Sequence, residues 1–420
     1  MIDVSEARSY VLSLCHPLPP VELTLAEAVG LVLAAPVVAG EAVPPFANSS
    51  MDGFALRSGD VRHATARLRV IAALMAGDVA DGLLVGPGEA VRIMTGAPMP
   101  LGADAVCMIE RTTDAGGGEV IVEGPVKRGA NVRPAGDDVA PGQELFGPGE
   151  QIRPAHIGLL SSAGAQGLLV RPRPRVGVVS TGDELVTAPG PLPAGKIRDS
   201  NRPALLAQLR SDGFEAVDLG HADDDAAALA ASIELAASQC DAVITSGGVS
   251  VGDRDLVKLV LDKLGGETAR WLQVAVKPAK PFAFSVFGSA RVPLFGLPGN
   301  PVSALISYEL FARPALRLMA GHIHLGRPVL QARAAQDMAR SPDGKLHLLR
   351  VVLSAGPDGE LQALRAGHQG SHQMLAMARC NALALLPDGR GVRAGEKLSA
   401  WLLDAGSLSS GPVSSGDQST

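Results

Sequence analysis

The spacing of apolar residues changes along the chain, and the changes mark out its parts. Val4, Ala7, Val11, Leu12 and Cys15 recur at helical intervals, which predicts an amphipathic helix over residues 3–15. Thr24-Leu-Ala-Glu27 is a capping-box pattern, the threonine serving first-turn N–H groups while the glutamate reaches back. A second helix is therefore expected from Thr24, stopping by Pro36. Residues 43–55, Val-Pro-Pro-Phe-Ala-Asn-Ser-Ser-Met-Asp-Gly-Phe-Ala, follow no period and predict tight turns. Then Arg67–Ala73, Glu89–Met94, Ala105–Ile109 and Glu119–Val122 alternate between glycine-rich turns, the pattern of a small β domain over residues 44–139. Ile152–Ala165 is helical again, so segments 1–43 and 140–172 together predict a discontinuous helical-and-strand domain around the β insertion.

Beyond the stiff Arg171-Pro-Arg-Pro-Arg175, strands and helices alternate. Val176–Ser180, Phe214–Leu219, Asp241–Thr245, Phe282–Phe287 and Val292–Leu297 read as strands. Helices are expected after Asn201, within Asp223–Cys240, over Asp255–Leu264, and from Pro301 to Gly321 with a kink at Pro314. This predicts a doubly wound, three-layer α/β domain over 173–322. Short strands return at Leu346–Leu353, Leu361–Leu364 and Ala382–Leu386, predicting a β-barrel or sandwich domain over 323–405. The Ser- and Gly-rich tail 406–420 is expected to be disordered.

Composition narrows the function. With 37 basic and 43 acidic residues the net charge is −6, and no long basic run exists, which argues against nucleic acid as partner. Cys15, Cys107, Cys240 and Cys380 are scattered without a CxxC pair, as expected of reduced thiols in a cytoplasmic protein. The apolar run 29–39 is broken by Gly30 and Pro36 and is too short to span a bilayer, so no membrane association is expected.

The candidate chemistry lies where the central strands end. Ser246-Gly-Gly-Val-Ser-Val-Gly-Asp-Arg-Asp255 joins a buried strand to a helix, at the sheet edge where open α/β folds bind ligands. Its glycines allow close backbone approach to a phosphate; Asp253 and Asp255 would repel one unless a cation lies between. Thr181-Gly-Asp-Glu184 brings further carboxylates, Lys277-Pro-Ala-Lys-Pro281 brings two lysines, and Pro298–Ser303 forms a proline-shaped turn. A cleft holding both a cation and an oxyanion suits phosphoryl, nucleotidyl or oxyanion chemistry. Glu184 also reads as a helix-start charge, the lysines as a solvated pair and the prolines as turn formers. No Ser-His-Asp arrangement, Walker loop or dinucleotide GxGxxG stands out.

Seven motifs carry a resemblance: Pro44–Ala55, Arg92-Ile-Met-Thr-Gly-Ala-Pro98, Ser180–Leu185, Asp199-Ser-Asn201, Ser246–Asp255, Leu297–Ser303 and Gly367-His-Gln-Gly-Ser371. Taken in order across residues 1–405, the chain resembles the MoeA family of molybdopterin molybdenumtransferases, related to the E domain of gephyrin. The resemblance implies insertion of molybdenum from molybdate into adenylylated molybdopterin, with Mg²⁺ required and AMP released. It also implies an elongated homodimer whose cleft is shared between subunits. Expected partners are a molybdopterin adenylyltransferase and molybdoenzyme maturation factors.

Carried onto this sequence, the resemblance makes Asp52, Thr95, Asp138, Glu184, Asp255, Lys277 and Lys280 the catalytic set, the first three acting from the partner subunit. Gly247, Gly248, Ser250, Gly252, Pro298, Pro301, Ser303, Lys345 and Ser371 are expected to bind substrate, and Glu184, Asp224 and Asp255 to hold the metal. Asp137 adjoins Asp138 and can take its role. Asp224 also reads as a helix N-cap, and Lys345 stands where the family commonly has an arginine, keeping its charge without its planar fork. Other readings are an adenylyltransferase, a non-catalytic molybdopterin-binding scaffold, and a preference for tungstate.

Overall fold

A computed structural model of the chain describes residues 1–63, 65–222, 225–248, 260, 266–356, 358–404 and 406–410. It divides into two compact units, one of residues 1–20 with 171–420 and one of residues 21–170.

In the larger unit a six-stranded sheet runs in the order Glu215–Ala222, Arg175–Thr181, Ala242–Ser246, Val292–Leu297, Pro281–Phe287, Arg270–Gln273. The first four strands pair in parallel, and Pro281–Phe287 runs antiparallel to both of its neighbours. Ala242–Ser246 and Val292–Leu297 are buried throughout, which explains their largely apolar sequence. Asn201–Ser211 and Pro301–Ser307 form helices, and Leu205, Leu209, Val302 and Ile306 share one core with Val176, Ile244 and Phe295. After Ser307 the helix opens into a π-turn over Tyr308–Ala312, in which the Arg313 N–H reaches the Tyr308 carbonyl, before continuing as Arg313–Met319. Pro314 has no N–H to give the preceding turn, so the wide turn falls where a kink is expected.

The predicted barrel-or-sandwich domain is a barrel. Leu346–Ala355, Leu361–Arg365, Val329–Ala334, Lys397–Leu402 and Ala382–Leu386 pair in succession, and the last pairs back onto the first. Ala332, Val351, Leu353, Ala363, Ala384 and Leu398 fill it.

In the smaller unit, Ala105–Met108, Gly53–Leu56, Glu89–Ile93, Ala66–Leu74, Glu119–Val122 and Thr112–Gly116 form a six-stranded sheet in that order. A separate core gathers Ala28, Leu31, Leu33, Ile152, Leu160 and Leu168 around the helix Pro154–Ser162.

Three expectations are corrected. The opening helix, Val4–Leu14, does not join the segment that follows it. Ala7, Val11 and Cys15 pack into the central core, and the Tyr10 hydroxyl donates to the Thr268 carbonyl at 2.8 Å. The helix expected from Thr24 stops after one turn. Its capping pair forms, with Thr24 Oγ1 donating to Glu27 Oε2 at 2.7 Å and the Ala28 N–H reaching the Thr24 carbonyl at 3.1 Å. Gly30, at φ 82°, then turns the chain into Val32–Leu33, where the Leu33 N–H bonds the Glu150 carbonyl at 2.9 Å. A capping box rewards only a first turn, and burial of Val32 and Leu33 decides the rest. Within the expected tail, Ser409–Ser410 pairs in parallel with Ser354–Ala355.

Candidate functional site

The parallel strands deliver Thr181, Ser246 and Leu297 to one edge of the sheet. Gly247 ties these three ends together. Its N–H bonds the Leu297 carbonyl at 3.2 Å, and its φ of 98° belongs to glycine. A Cβ there would stand 2.5 Å from the Thr181 carbonyl oxygen, so no side chain fits. Gly248 continues the turn at φ 66°. The Asn201 amide bridges Ser246 Oγ at 2.9 Å and the Gly299 carbonyl at 2.7 Å. Behind it, buried Asp199 accepts Ser180 Oγ at 2.7 Å and Arg202 Nε at 2.9 Å. The Asp199-Ser-Asn201 motif thus braces the glycine turn from below. Glu184 is exposed at the same edge, its carboxylate lying over Gly182.

The lysine loop and the barrel meet along one strand. Val276–Lys277 pairs in parallel with Leu346–His347, the start of Leu346–Ala355. Three residues along, about 10 Å at strand rise, Arg350 is fully buried. Arg350 Nη2 donates to the His368 and Gly370 carbonyls at 3.1 Å, and its N–H bonds Gln369 Oε1 at 2.9 Å. The Ser371 carbonyl then accepts the Val302 N–H at 3.1 Å. This contact path links exposed Lys277, the Gly367–Ser371 loop and the turn of Pro298, Pro301 and buried Ser303. Exposed Lys280 closes its loop, the Val274 N–H bonding its carbonyl at 2.8 Å.

Lys345 is drawn elsewhere, its Nζ 3.4 Å from Asp343. The arginine braced behind the Gly367–Ser371 loop is Arg350, which sequence reasoning missed. Its signal was an arginine in a largely apolar strand, on the face opposite Val351 and Leu353. Burial lowers its pKa, and Nε and Nη1 have no hydrogen-bond partner among the described residues.

Asp52, Thr95 and Asp138 lie in the smaller unit. Asp52 Oδ1 accepts the Thr95 N–H at 2.7 Å and the Thr95 hydroxyl at 2.8 Å. These bonds, the backbone one first, hold the Asp52 pKa below its ordinary value. Thr95→Val removes the hydroxyl and leaves the N–H, so the Asp52 pKa is expected to rise part of the way back, as read by carboxyl ¹³C shifts across pH. An unchanged titration would remove Thr95 Oγ1 from the account. Asp137 and Asp138 are both exposed, and the Asp138 N–H bonds the Val43 carbonyl at 2.9 Å.

Asp224, Ser250, Gly252 and Asp255 lie outside the described residues. Among the described residues no group of three His, Cys, Asp or Glu side chains could hold a metal, and no helix is long and apolar enough to cross a membrane.

A glycine turn pinned across three parallel strand ends, with a lysine loop joined to a closed barrel, defines a multidomain α/β protein with its candidate loops at the carboxyl edge of the sheet, where such folds bind ligands. The chain matches the MoeA N-terminal region (domain I and II) over residues 2–164, a probable molybdopterin binding domain over 177–318, and the MoeA C-terminal region (domain IV) over 331–403. It is 38% identical to molybdopterin molybdenumtransferase 2 of Mycobacterium tuberculosis, over 96% of this chain and 99% of the relative. It is 36% identical to the molybdopterin molybdenumtransferase of Haemophilus influenzae, over 94% and 97% respectively. A crystal structure of a molybdopterin biosynthesis MoeA protein from Pyrococcus horikoshii superposes with a TM-score of 0.82 at 28% identity, covering 96% of this chain and all of that one. The chain belongs to the MoeA family.

Proposed function

We propose that this chain is a molybdopterin molybdenumtransferase, inserting molybdenum from molybdate into adenylylated molybdopterin with release of AMP. The observation that carries the reading is the contact path from Lys277 through Arg350 to Ser371 and Val302, beside the glycine turn at Gly247. The names of full-length relatives support the same activity.

In this reading the exposed ammonium groups of Lys277 and Lys280 attract the molybdate dianion, while the hydroxyls of Ser303 and Ser371 donate to its oxygens. The Gly247–Gly248 turn would present backbone without side chains to the phosphate end of the pterin. Catalysis is then positional and electrostatic, with no covalent enzyme intermediate. The carboxylates of Glu184, Asp224 and Asp255 are hard oxygen donors of the kind that suit Mg²⁺, which when bound would neutralise charge on the phosphoanhydride. A homodimer to which Asp52, Thr95 and Asp138 contribute from the second subunit, a cytoplasmic location, and exchange with an adenylyltransferase and molybdoenzyme maturation factors belong to the same proposal.

The lysine pair gives the test. Lys277→Gln with Lys280→Gln is expected to lower molybdate-dependent AMP release about 100-fold, the scale of losing a charge-stabilising donor, and to raise the molybdate concentration needed for half the maximal rate. Lys345→Gln, engaged with Asp343 instead, is expected to change the rate less than about threefold. Equal effects of the two changes would remove the lysine loop from oxyanion binding.

A further inference from the structure

The smaller unit holds a second concentration of charge, at the other end of its sheet from Asp52. Asp52 precedes the strand Gly53–Leu56 and Arg57 follows it, which separates them by about 13 Å of strand. Beyond that end opens a cavity of about 790 Å³, within the roughly 300–1,000 Å³ range of small-molecule sites. Arg57, Arg62, Lys127 and Arg128 line it, with Asp104 as the lining carboxylate. Asp104 is already engaged, accepting the Ser58 N–H at 2.7 Å and the Ser58 hydroxyl at 3.0 Å, with Arg128 Nε at 3.6 Å. Among the described residues, no carboxylate pairs with Arg57, Arg62 or Lys127 within 4.0 Å, in a chain whose net charge is −6.

The walls are fixed by backbone bonds rather than left to the mobility of a surface. The Val126 N–H bonds the Val61 carbonyl at 3.3 Å, the Gly129 N–H bonds the Asp104 carbonyl at 2.8 Å, and the Asp104 N–H bonds the Leu56 carbonyl at 3.0 Å. Val61 and Val126 are buried in the core beneath. Segments distant in sequence thus bring four basic side chains to one rim, where an anion would offset their mutual repulsion. Arginine forks match phosphate oxygens in pairs, and the exposed Pro125 adds an apolar rim.

We propose that this cavity binds a multiply charged phosphate anion, an inorganic polyphosphate or the phosphate chain of a nucleotide, at a site separate from the central sheet edge. Its concave shape favours a small polyanion over an acidic protein surface. The site does not depend on the catalytic reading.

The test is calorimetric titration of the full chain carrying Lys277→Gln and Lys280→Gln, which removes the lysine loop as a competing anion site. Tripolyphosphate is the first ligand and ATP without added Mg²⁺ the second. Saturable binding is expected, weakening about tenfold or more between roughly 50 and 200 mM salt. It is expected to weaken at least about tenfold on adding Arg57→Gln with Arg62→Gln, or Lys127→Gln with Arg128→Gln, and to be restored in part by Arg57→Lys with Arg62→Lys. Equal affinity for both ligands assigns recognition to the phosphate chain alone, and tighter ATP binding assigns a nucleotide. Isotherms unchanged in both glutamine pairs, no binding by either ligand, or tighter binding of poly-glutamate than of tripolyphosphate would overturn the proposal. Unchanged melting curves keep loss of binding distinct from loss of fold.

Discussion

Asp212→Asn is expected to destabilise the chain by about 3–5 kcal/mol, the cost of breaking a buried charge network from one side. The Asp212 carboxylate accepts Arg313 Nε at 3.0 Å, Arg327 Nη2 at 2.9 Å, the Tyr308 hydroxyl at 2.9 Å and Gln208 Nε2 at 3.0 Å. Glu309 takes Arg327 Nη2 at 2.7 Å, and the Asp212 and Glu309 side chains are only 5% and 4% exposed. Asparagine keeps the shape but leaves two buried guanidinium groups sharing one carboxylate. Burial works to raise the Asp212 pKa, yet Arg327 and Arg313 outweigh it and the net direction is down. A carboxylate depressed in the folded state contributes stability that is complete above its unfolded value, near 3.9, and is lost as pH falls through the folded value. Urea unfolding at neutral pH measures the effect, and a loss under about 1 kcal/mol would show that the network is not what holds these elements. The network also reaches the barrel, because Arg327 precedes the first barrel strand and its Nη1 reaches the Leu403 carbonyl at 3.5 Å. The carboxylate pair therefore anchors both the entry and the exit of the barrel that carries Ser371.

Gly247→Ala carries the second large effect. At φ 98° any side chain is strained by about 1–3 kcal/mol. The added methyl would also stand 2.5 Å from a backbone carbonyl in a buried strand, which cannot swing aside. The expected outcome is a loss of about 2–4 kcal/mol together with loss of adenylylated-pterin binding. Gly195→Ala is the control, since Gly195 has a φ of 76° and nothing within 4 Å of its added Cβ, so it bears the backbone strain alone. Equal melting temperatures for the two variants would contradict the close approach at Gly247.

The sheet was legible because a buried parallel strand leaves a continuous apolar run, as in Ala242–Ser246, and its flanking glycines mark the turn that follows. The partners of elements were less legible. Nothing in residues 3–15 says that Ala7 and Val11 pack beside Phe295 and Tyr308 rather than beside the segment that follows, because an apolar stripe does not name the face that covers it. Thr24 and Glu27 illustrate the limit of a local signal, since they make their capping bonds without a helix beyond one turn. At the site, matching by order along the chain led to Lys345, whereas the pleat of the strand turns Arg350 to the face opposite Val351 and Leu353, onto the Gly367–Ser371 loop. The buried network around Asp212 was invisible in sequence because its members come from three separate segments.

The most direct test of the proposed activity is AMP release from adenylylated molybdopterin by the purified full chain, with and without molybdate and Mg²⁺, alongside molybdenum content of the pterin product. Release that needs molybdate and matches the molybdenum incorporated is the predicted result. Tight binding of the adenylylated pterin with no AMP released under any of these conditions would contradict it.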